Sequence, residues 1–91
     1  MKYYIHWKIN REDLDKVIDR FMKAEKRSDP ENYPKPLSPT YYFHNKFEGF
    51  RLVEVEREEQ IINYNIYYHD VMETVFKSIG ESIDFIKAYK K

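Results

Sequence analysis

The residues of this chain best suited to proton transfer are three histidines and one glutamate. Imidazole exchanges protons near neutral pH, which makes His6, His44 and His69 the obvious titratable candidates. Glu54 joins them because strand alternation places it on one face with Phe50, among apolar side chains. A carboxyl group in apolar surroundings holds its proton more tightly, which tunes it toward neutral pH. We therefore take His6, His44 and Glu54 as candidate catalytic residues.

Each of these residues also has a simpler interpretation. His6 and His44 lie in extended runs, and for every histidine we favour a packing or surface role over catalysis. No pair of histidines has the i, i+4 or short-loop spacing of a metal site, so we predict no bound metal. Glu54 stands near the end of its run, where its carboxylate can reach water.

Four aromatic residues form a candidate ligand-binding set. They are Tyr4, Trp7, Tyr42 and Phe43, all in extended runs. Such side chains could line a pocket for a flat organic ligand. Aromatic residues on strands more often belong to the core or to a subunit interface. The sequence leaves both interpretations open.

The composition excludes several classes of protein. The chain has 91 residues with 16 basic and 16 acidic side chains, so no net charge draws it to nucleic acid or to an anionic membrane. Without cysteine it has no thiolate nucleophile, disulfide or cysteine-ligated metal. Two glycines are too few for a phosphate-binding loop or a dinucleotide fingerprint. With no signal peptide and no apolar run of roughly 20 residues, we expect a cytoplasmic protein that uses no cofactor.

The first half of the chain predicts a strand, a helix and a loop. Residues 3–9 alternate in the rhythm of a strand, and Asn10 is placed to cap a helix that ends near Lys26. All four prolines lie in 27–39, where they rule out a regular helix or a central strand. We predict a Pro-rich loop there, acting as a stiff connector or as a lid over a cleft.

The second half predicts a hairpin, a helix, a strand and a tail helix. Two extended runs, 40–46 and 50–56, meet at Glu48-Gly49, which predicts a β-hairpin with a two-residue turn. A second helix opens at Arg57, and a last strand covers 72–79. Ser78-Ile-Gly-Glu81 matches a capping box, which predicts a tail helix over 80–91.

The order of these elements predicts a single α+β domain over residues 1–91. The first six elements, βαββαβ, match the ferredoxin-like fold, with a four-stranded antiparallel sheet and the tail helix as an addition. Alternation leaves apolar residues on both faces of that sheet, although two helices cover only one. We therefore predict a homodimer in which two sheets face each other. The alternative is a monomer whose tail helix folds across the open face.

Three segments carry a resemblance to a known family. Lys2–Ile9, Gly49–Glu54 and His69-Asp70 ahead of Glu73-Thr-Val resemble an uncharacterised family of small microbial proteins. That family is similar to the dimeric α/β-barrel superfamily, which includes small monooxygenases and other cofactor-free enzymes. The resemblance implies a homodimeric α/β-barrel. The Pro-rich segment and Tyr64–Tyr68 depart from the family pattern.

These observations lead to three functional hypotheses. The first is a homodimeric α/β-barrel that binds or transforms a small organic molecule in an aromatic-lined cleft. As an enzyme it would be a cofactor-independent oxygenase-like or isomerase-like protein. The second is a purely structural or regulatory dimerisation module. The third is RNA binding, since RNA-recognition domains share the βαββαβ order, but Leu52 and Val55 replace two expected aromatic residues and the net charge is zero.

Overall fold

In the computed structural model, residues 1–27 and 29–90 are described, and they form an α+β fold with an antiparallel sheet of five strands and three α-helices. The strands are β1 (Lys2–Ile9), β2 (Lys35–Pro36), β3 (Tyr41–Tyr42), β4 (Glu48–Glu54) and β5 (Met72–Ser78). The helices are α1 (Leu14–Lys26), α2 (Glu58–Tyr68) and α3 (Ser82–Tyr89), and a 3-10 turn at Arg11–Asp13 precedes α1. The predicted order of helices and main strands is confirmed.

The sheet is built around β1, the longest strand. Tyr4 lies opposite Leu52 of β4 on one side and opposite Lys77 of β5 on the other. The far edge of β4 pairs with both β2 and β3, at different positions along its length. The order across the sheet is therefore β5, β1, β4 and then the two short strands.

The predicted second strand, 40–46, is shortened to two residues, and the predicted Pro-rich loop contributes a short strand of its own. Only Tyr41-Tyr42 of the run 40–46 pairs with β4, and Lys35-Pro36 from the Pro-rich loop takes the place beside Val53 and Glu54. Proline has no N–H to donate to a strand ladder, so Pro36 and Pro39 prevent one continuous edge strand. The sheet consequently has five strands rather than four.

The hairpin turn does not lie at Gly49, so that prediction is wrong. Tyr42 pairs with Gly49 inside the sheet, and the turn falls between Phe43 and Glu48, where the Phe43 N–H donates to the Glu48 carbonyl at 2.9 Å. A Cβ on Gly49 would overlap the Trp7 indole and the Tyr41 carbonyl oxygen. Glycine is needed here for close packing in a strand rather than for a positive φ.

The core lies between the sheet and helices α1 and α2. Its buried residues form two clusters: Trp7, Val17, Tyr68, Val71 and Met72 in one, and Ile5, Val53 and Val55 in the other. We call this side of the sheet the helix face. Successive side chains of a strand point to opposite sides of the sheet. Every second residue of β1 and β4 therefore lies on the other side, which we call the open face.

The Pro-rich loop is fastened to the start of α2 by Gln60, which is buried. Its side-chain oxygen accepts from the Glu56 N–H at 2.8 Å, and its amide nitrogen donates to the carbonyls of Pro30 and Glu31 at 3.0 and 3.2 Å. A buried amide whose donors and acceptor are all used fixes its neighbours strongly. The loop is thereby held beside α2, where it forms one wall of a cavity.

The capping contacts predicted before α1 and α3 do not form, whereas α2 begins after Arg57 as predicted. Asn10 makes no capping hydrogen bond and instead donates from its amide to the Asp13 carboxylate at 3.5 Å. Ser78 is the last residue of β5 and Glu81 is the N-cap of α3, so the predicted capping box is wrong. The β5 ladder pairs Ser78 with Tyr3, which leaves it unable to start a helix.

The tail helix α3 does not cover the open face of its own chain. All of its residues are exposed, and Phe85 keeps 74% of its surface in contact with solvent. The open face carries an aromatic stack in which the Tyr4 and Tyr41 ring centroids lie 5.4 and 5.2 Å from that of Phe50. Within residues 1–27 and 29–90, no helix is long and apolar enough to cross a membrane.

Candidate functional site

A cleft of about 250 Å³ lies between α1 and the helix face of the sheet. The Trp7 indole lies over Gly49, and α1 closes the cleft with Val17 and Phe21. Thr40, just before β3, and Tyr42 of β3 also line the cleft, and the wall further includes Arg51, Tyr64, Tyr68 and Met72. Glycine at position 49 leaves room for the Trp7 indole on the neighbouring strand.

Two polar atoms of this cleft wall are buried without a partner. Neither the Trp7 indole nitrogen nor the Thr40 hydroxyl makes a hydrogen bond in the described part of the chain. The indole N–H can only donate, and an unsatisfied buried donor costs about 1–3 kcal/mol. Both atoms are shielded from solvent, so an acceptor atom of a ligand reaches either group only after side chains of the wall move.

A second cavity of about 370 Å³ adjoins the cleft on the side of the Pro-rich loop. The Arg27 guanidinium lies over the Tyr33 ring at 3.9 Å and over the Tyr67 ring at 4.8 Å from the centroids. Cation–π contacts of this kind hold a guanidinium against aromatic rings. Pro34 is buried and forms part of the loop wall of this cavity.

Arg51 belongs to both cavities. Its Nε donates to the Ser38 carbonyl at 3.0 Å and its Nη1 to Glu25 Oε1 at 2.8 Å. The side chain is only 15% exposed, although it is charged. Our sequence reasoning assigned no role to this residue. The sequence did indicate that Arg51 faces the core, because alternation places it on the same side of β4 as the buried Val53 and Val55.

Two tyrosines of α2 form the floor shared by the cavities. Burial raises the pKa of Tyr64 to about 12 and moves the pKa of Tyr68 in the same direction. Both hydroxyls therefore stay protonated at neutral pH. They can donate or accept hydrogen bonds there, but they are poor proton acceptors in a reaction.

The candidate catalytic residues lie away from these cavities. His6 is on the open face with its Nε2 at 3.1 Å from Glu48 Oε1, and His44 is exposed in the hairpin turn beside the Tyr42 ring. Glu54 is also on the open face, where its Oε1 lies 2.8 Å from the amino group of Met1. The structure does not bring His6, His44 and Glu54 into one constellation.

The four predicted ligand-binding residues divide between the two faces. Trp7 and Tyr42 line the cleft on the helix face. Tyr4 and Phe43 lie on the open face, with ring centroids 5.4 and 6.1 Å from that of Phe50. The two faces consequently offer two different aromatic surfaces.

Comparison with known families assigns the chain as a whole. A family model described as "Domain of unknown function (DUF3303)" matches residues 1–91. The chain belongs to the DUF3303 family. A comparison with curated proteins found no match.

In this DUF3303 chain, Asp70 of the His69-Asp70 pair forms an ion pair with Arg20. Arg20 of α1 donates to both carboxylate oxygens of Asp70 and to the Tyr67 carbonyl, which ties α1 to the end of α2. The hydrogen bond from Arg20 lowers the pKa of Asp70 to about 2. In the described ranges of this DUF3303 chain, no three acidic or histidine side chains are grouped to hold a metal ion.

Proposed function

We propose that this protein binds a small organic molecule in the cleft between α1 and the sheet. The apolar wall of the cleft carries the proposal, and the unpartnered polar groups of Trp7 and Thr40 lie buried within that wall. A ring-shaped ligand with one acceptor atom suits both features. Sites of this kind combine an apolar wall with a few placed polar groups.

Binding is proposed for the cleft rather than turnover. The titratable residues of its wall are tyrosines, of which Tyr64 and Tyr68 have a pKa raised by burial, and Arg51, whose guanidinium is charged at any ordinary pH. General base catalysis needs a group poised near the working pH and within reach of the substrate. His6, His44 and Glu54 remain candidates for proton transfer at the open face.

We also propose that the fold is ferredoxin-like and of the dimeric α/β-barrel type. With β2 and β3 together as one edge element, the order across the sheet corresponds to fourth, first, third and second strand. Two helices on one face of such a sheet support this assignment. The resemblance of Lys2–Ile9 and Gly49–Glu54 to the α/β-barrel superfamily points the same way.

A second copy of the chain is the proposed partner of the open face. The middle of that face is a row of Phe50, His6 and Val75, and the next row toward the turn is charged, with Lys8 between Glu48 and Glu73. An apolar centre with a charged rim is typical of subunit interfaces. Because the rim carries both signs, two copies related by a two-fold axis can pair unlike charges.

This aromatic open face also supports the second candidate function, a structural or regulatory dimerisation module. In that case the dimer forms, and the cleft holds no ligand. RNA is not a proposed partner, since the chain carries no net positive charge to bind phosphates.

The cleft is tested with acetophenone, a neutral ring that carries one acceptor atom. The chain has a single tryptophan, so its indole N–H gives one resonance that reports on Trp7 directly. We expect acetophenone at millimolar concentration to shift this resonance. Thr40→Val removes one donor and should raise the dissociation constant about threefold to tenfold.

Tyr4→Phe is the matched control, because it also removes one hydroxyl but lies on the open face. It should leave acetophenone affinity unchanged. An indole resonance that stays in place throughout the titration would reject the cleft as a binding site and favour the dimerisation module.

A further inference from the structure

Arg51 stands where the two cavities meet, and its position suggests the chemical class of the ligand. The inference rests on the proposed function of the cleft and narrows it. We infer that the ligand is a small aromatic carboxylate, whose ring occupies the cleft beside Trp7 and whose carboxylate binds the Arg51 guanidinium.

The Arg51 guanidinium has hydrogen-bonding capacity left for a ligand. Its Nε is taken by the Ser38 carbonyl and its Nη1 by Glu25, while no residue in 1–27 or 29–90 accepts from Nη2. A guanidinium offers five N–H groups in one plane, and two adjacent ones fit the two oxygens of a carboxylate. The planar fork therefore matches a carboxylate better than it matches a neutral carbonyl group.

Glu25 occupies the place that a ligand carboxylate would take. Its side chain is 42% exposed in the last turns of α1, so it can turn into water when it leaves Arg51. Exchange of one carboxylate for another keeps the charge around Arg51 balanced. A neutral ligand has no such exchange to offer, because it would leave the Glu25 pair in place.

The surrounding charges favour an anion. Arg27 and Lys35 line the adjoining cavity together with Arg51, against two carboxylates, Glu25 and Asp29. Release of Glu25 by the ligand leaves three positive groups and one negative group of the protein around the bound carboxylate. Interactions with the nearly buried Arg51 are weakened less by solvent than those of surface ion pairs.

The neighbouring cleft accommodates the ring. Its wall of Val17, Phe21 and Met72 is apolar, and the Trp7 indole offers an aromatic surface. The ring of an aromatic acid therefore contacts the apolar wall of the cleft, and its carboxylate contacts Arg51.

Arg51 also has a structural role, since it ties Ser38 of the Pro-rich loop to β4. The test must separate the two roles. It uses benzoate and acetophenone, which share a ring and a carbonyl group but differ in charge, and it follows the Trp7 indole resonance. We expect benzoate to bind at least about tenfold more tightly than acetophenone, because its hydrogen bonds are charge-assisted.

Glu25→Gln is the decisive variant, because it removes the competing carboxylate at an exposed position. We expect it to tighten benzoate binding about threefold or more and to leave acetophenone unchanged. Arg51→Gln should weaken benzoate at least about tenfold and remove most of the preference for benzoate over acetophenone. Glu12→Gln, exposed and N-terminal to α1, is the matched control for the change in net charge.

The outcomes are distinguishable from failure of the proposed function. If acetophenone binds and benzoate binds no better, or if Glu25→Gln weakens benzoate, the carboxylate inference is overturned while the cleft stands. If neither compound shifts the indole resonance, the cleft itself is rejected. Should Arg51→Gln fail to fold, the Glu25→Gln comparison still decides.

Discussion

The two faces of the sheet carry similar apolar residues but differ in what covers them. On the helix face, α2 packs Ile61 and Tyr64 against the cluster of Ile5 and Val53, and a cleft remains beneath α1 beside Trp7. On the open face, Phe50 and Val75 lie in the same sheet with no element of the chain over them in the described residues, and Val75 is 49% exposed. Burial is thus decided by which side the connecting helices take, because both faces are apolar enough to be buried.

The two faces also differ in how they treat charge. On the open face, Lys8, Glu48 and Glu73 form the row next to Phe50, His6 and Val75, and Lys8 and Glu73 are exposed to water. On the helix face, Arg51 is nearly buried and is held by Glu25 and Ser38. A buried charge must be paired and hydrogen-bonded to be tolerated. The helix face therefore contains the more specific polar site.

The largest effect is expected from Gly49→Ala, which attacks the packing of the helix face. The new Cβ would overlap a backbone carbonyl and the Trp7 indole, so we expect a loss of about 3 kcal/mol in the free energy of unfolding. Urea denaturation measures it. Gly80→Ala is the control, since nothing lies within 4 Å of its Cβ. Equal stability of the two variants would contradict the proposed close contact.

Two valines compare the faces directly. Val53→Ala, at a residue only 2% exposed, should lower the free energy of unfolding by about 2 kcal/mol. Val75→Ala should cost less than about 0.5 kcal/mol when measured on dilute, monomeric protein. Chemical denaturation at several protein concentrations separates the two. Similar losses in dilute protein would mean that the open face is already covered within one chain.

Alkaline pH should affect the helix face through Tyr64. Its pKa in the folded protein is about 12 against 10.0 for an ordinary tyrosine, so the unfolded chain releases this proton first. Stability is therefore complete below pH 10 and falls between pH 10 and pH 12. Tyr64→Phe should make this fall less steep, whereas Tyr4→Phe on the open face serves as the control. Identical slopes for wild type and Tyr64→Phe would refute the assignment.

The smallest change in stability, but a clear change in assembly, is expected from Val75→Lys. A charge in the middle of the open face is repeated by symmetry in the proposed dimer, so the dissociation constant should rise at least about tenfold. Sedimentation equilibrium measures it. Ile62→Lys is the matched control on the exposed side of α2. A wild-type chain that stays monomeric at micromolar concentration would end the dimer proposal.

Local patterns in the sequence were enough to predict the main helices and strands. The alternation of residues 3–9 fixed β1, and the apolar spacing after Asn10 fixed α1 up to Lys26. These signals are local, since a strand or an amphipathic helix shows its period within a few residues. The candidate site was only partly predictable, because Trp7 and Tyr42 line the cleft while Tyr4 and Phe43 lie on the other face.

Other features depended on contacts between distant parts of the chain. A glycine after Glu48 looks like a turn residue, and only the packing of Trp7 across Gly49 explains why it lies within a strand. The edge of the sheet likewise depended on Lys35-Pro36 arriving beside β4 from the Pro-rich loop. Neither contact has a signature within a short window of sequence.

The sequence by itself determined the order of the helices and main strands, the apolar character of both sheet faces and the position of Arg51 on the same face as Val53 and Val55. Only the tertiary structure decided which face the helices cover, where the hairpin turns and how Arg51 meets Glu25. The physical reason is the distance along the chain over which each feature is determined. Backbone periodicity is set by neighbouring residues, whereas a cleft is formed by side chains that come from separate elements and compete for the same space.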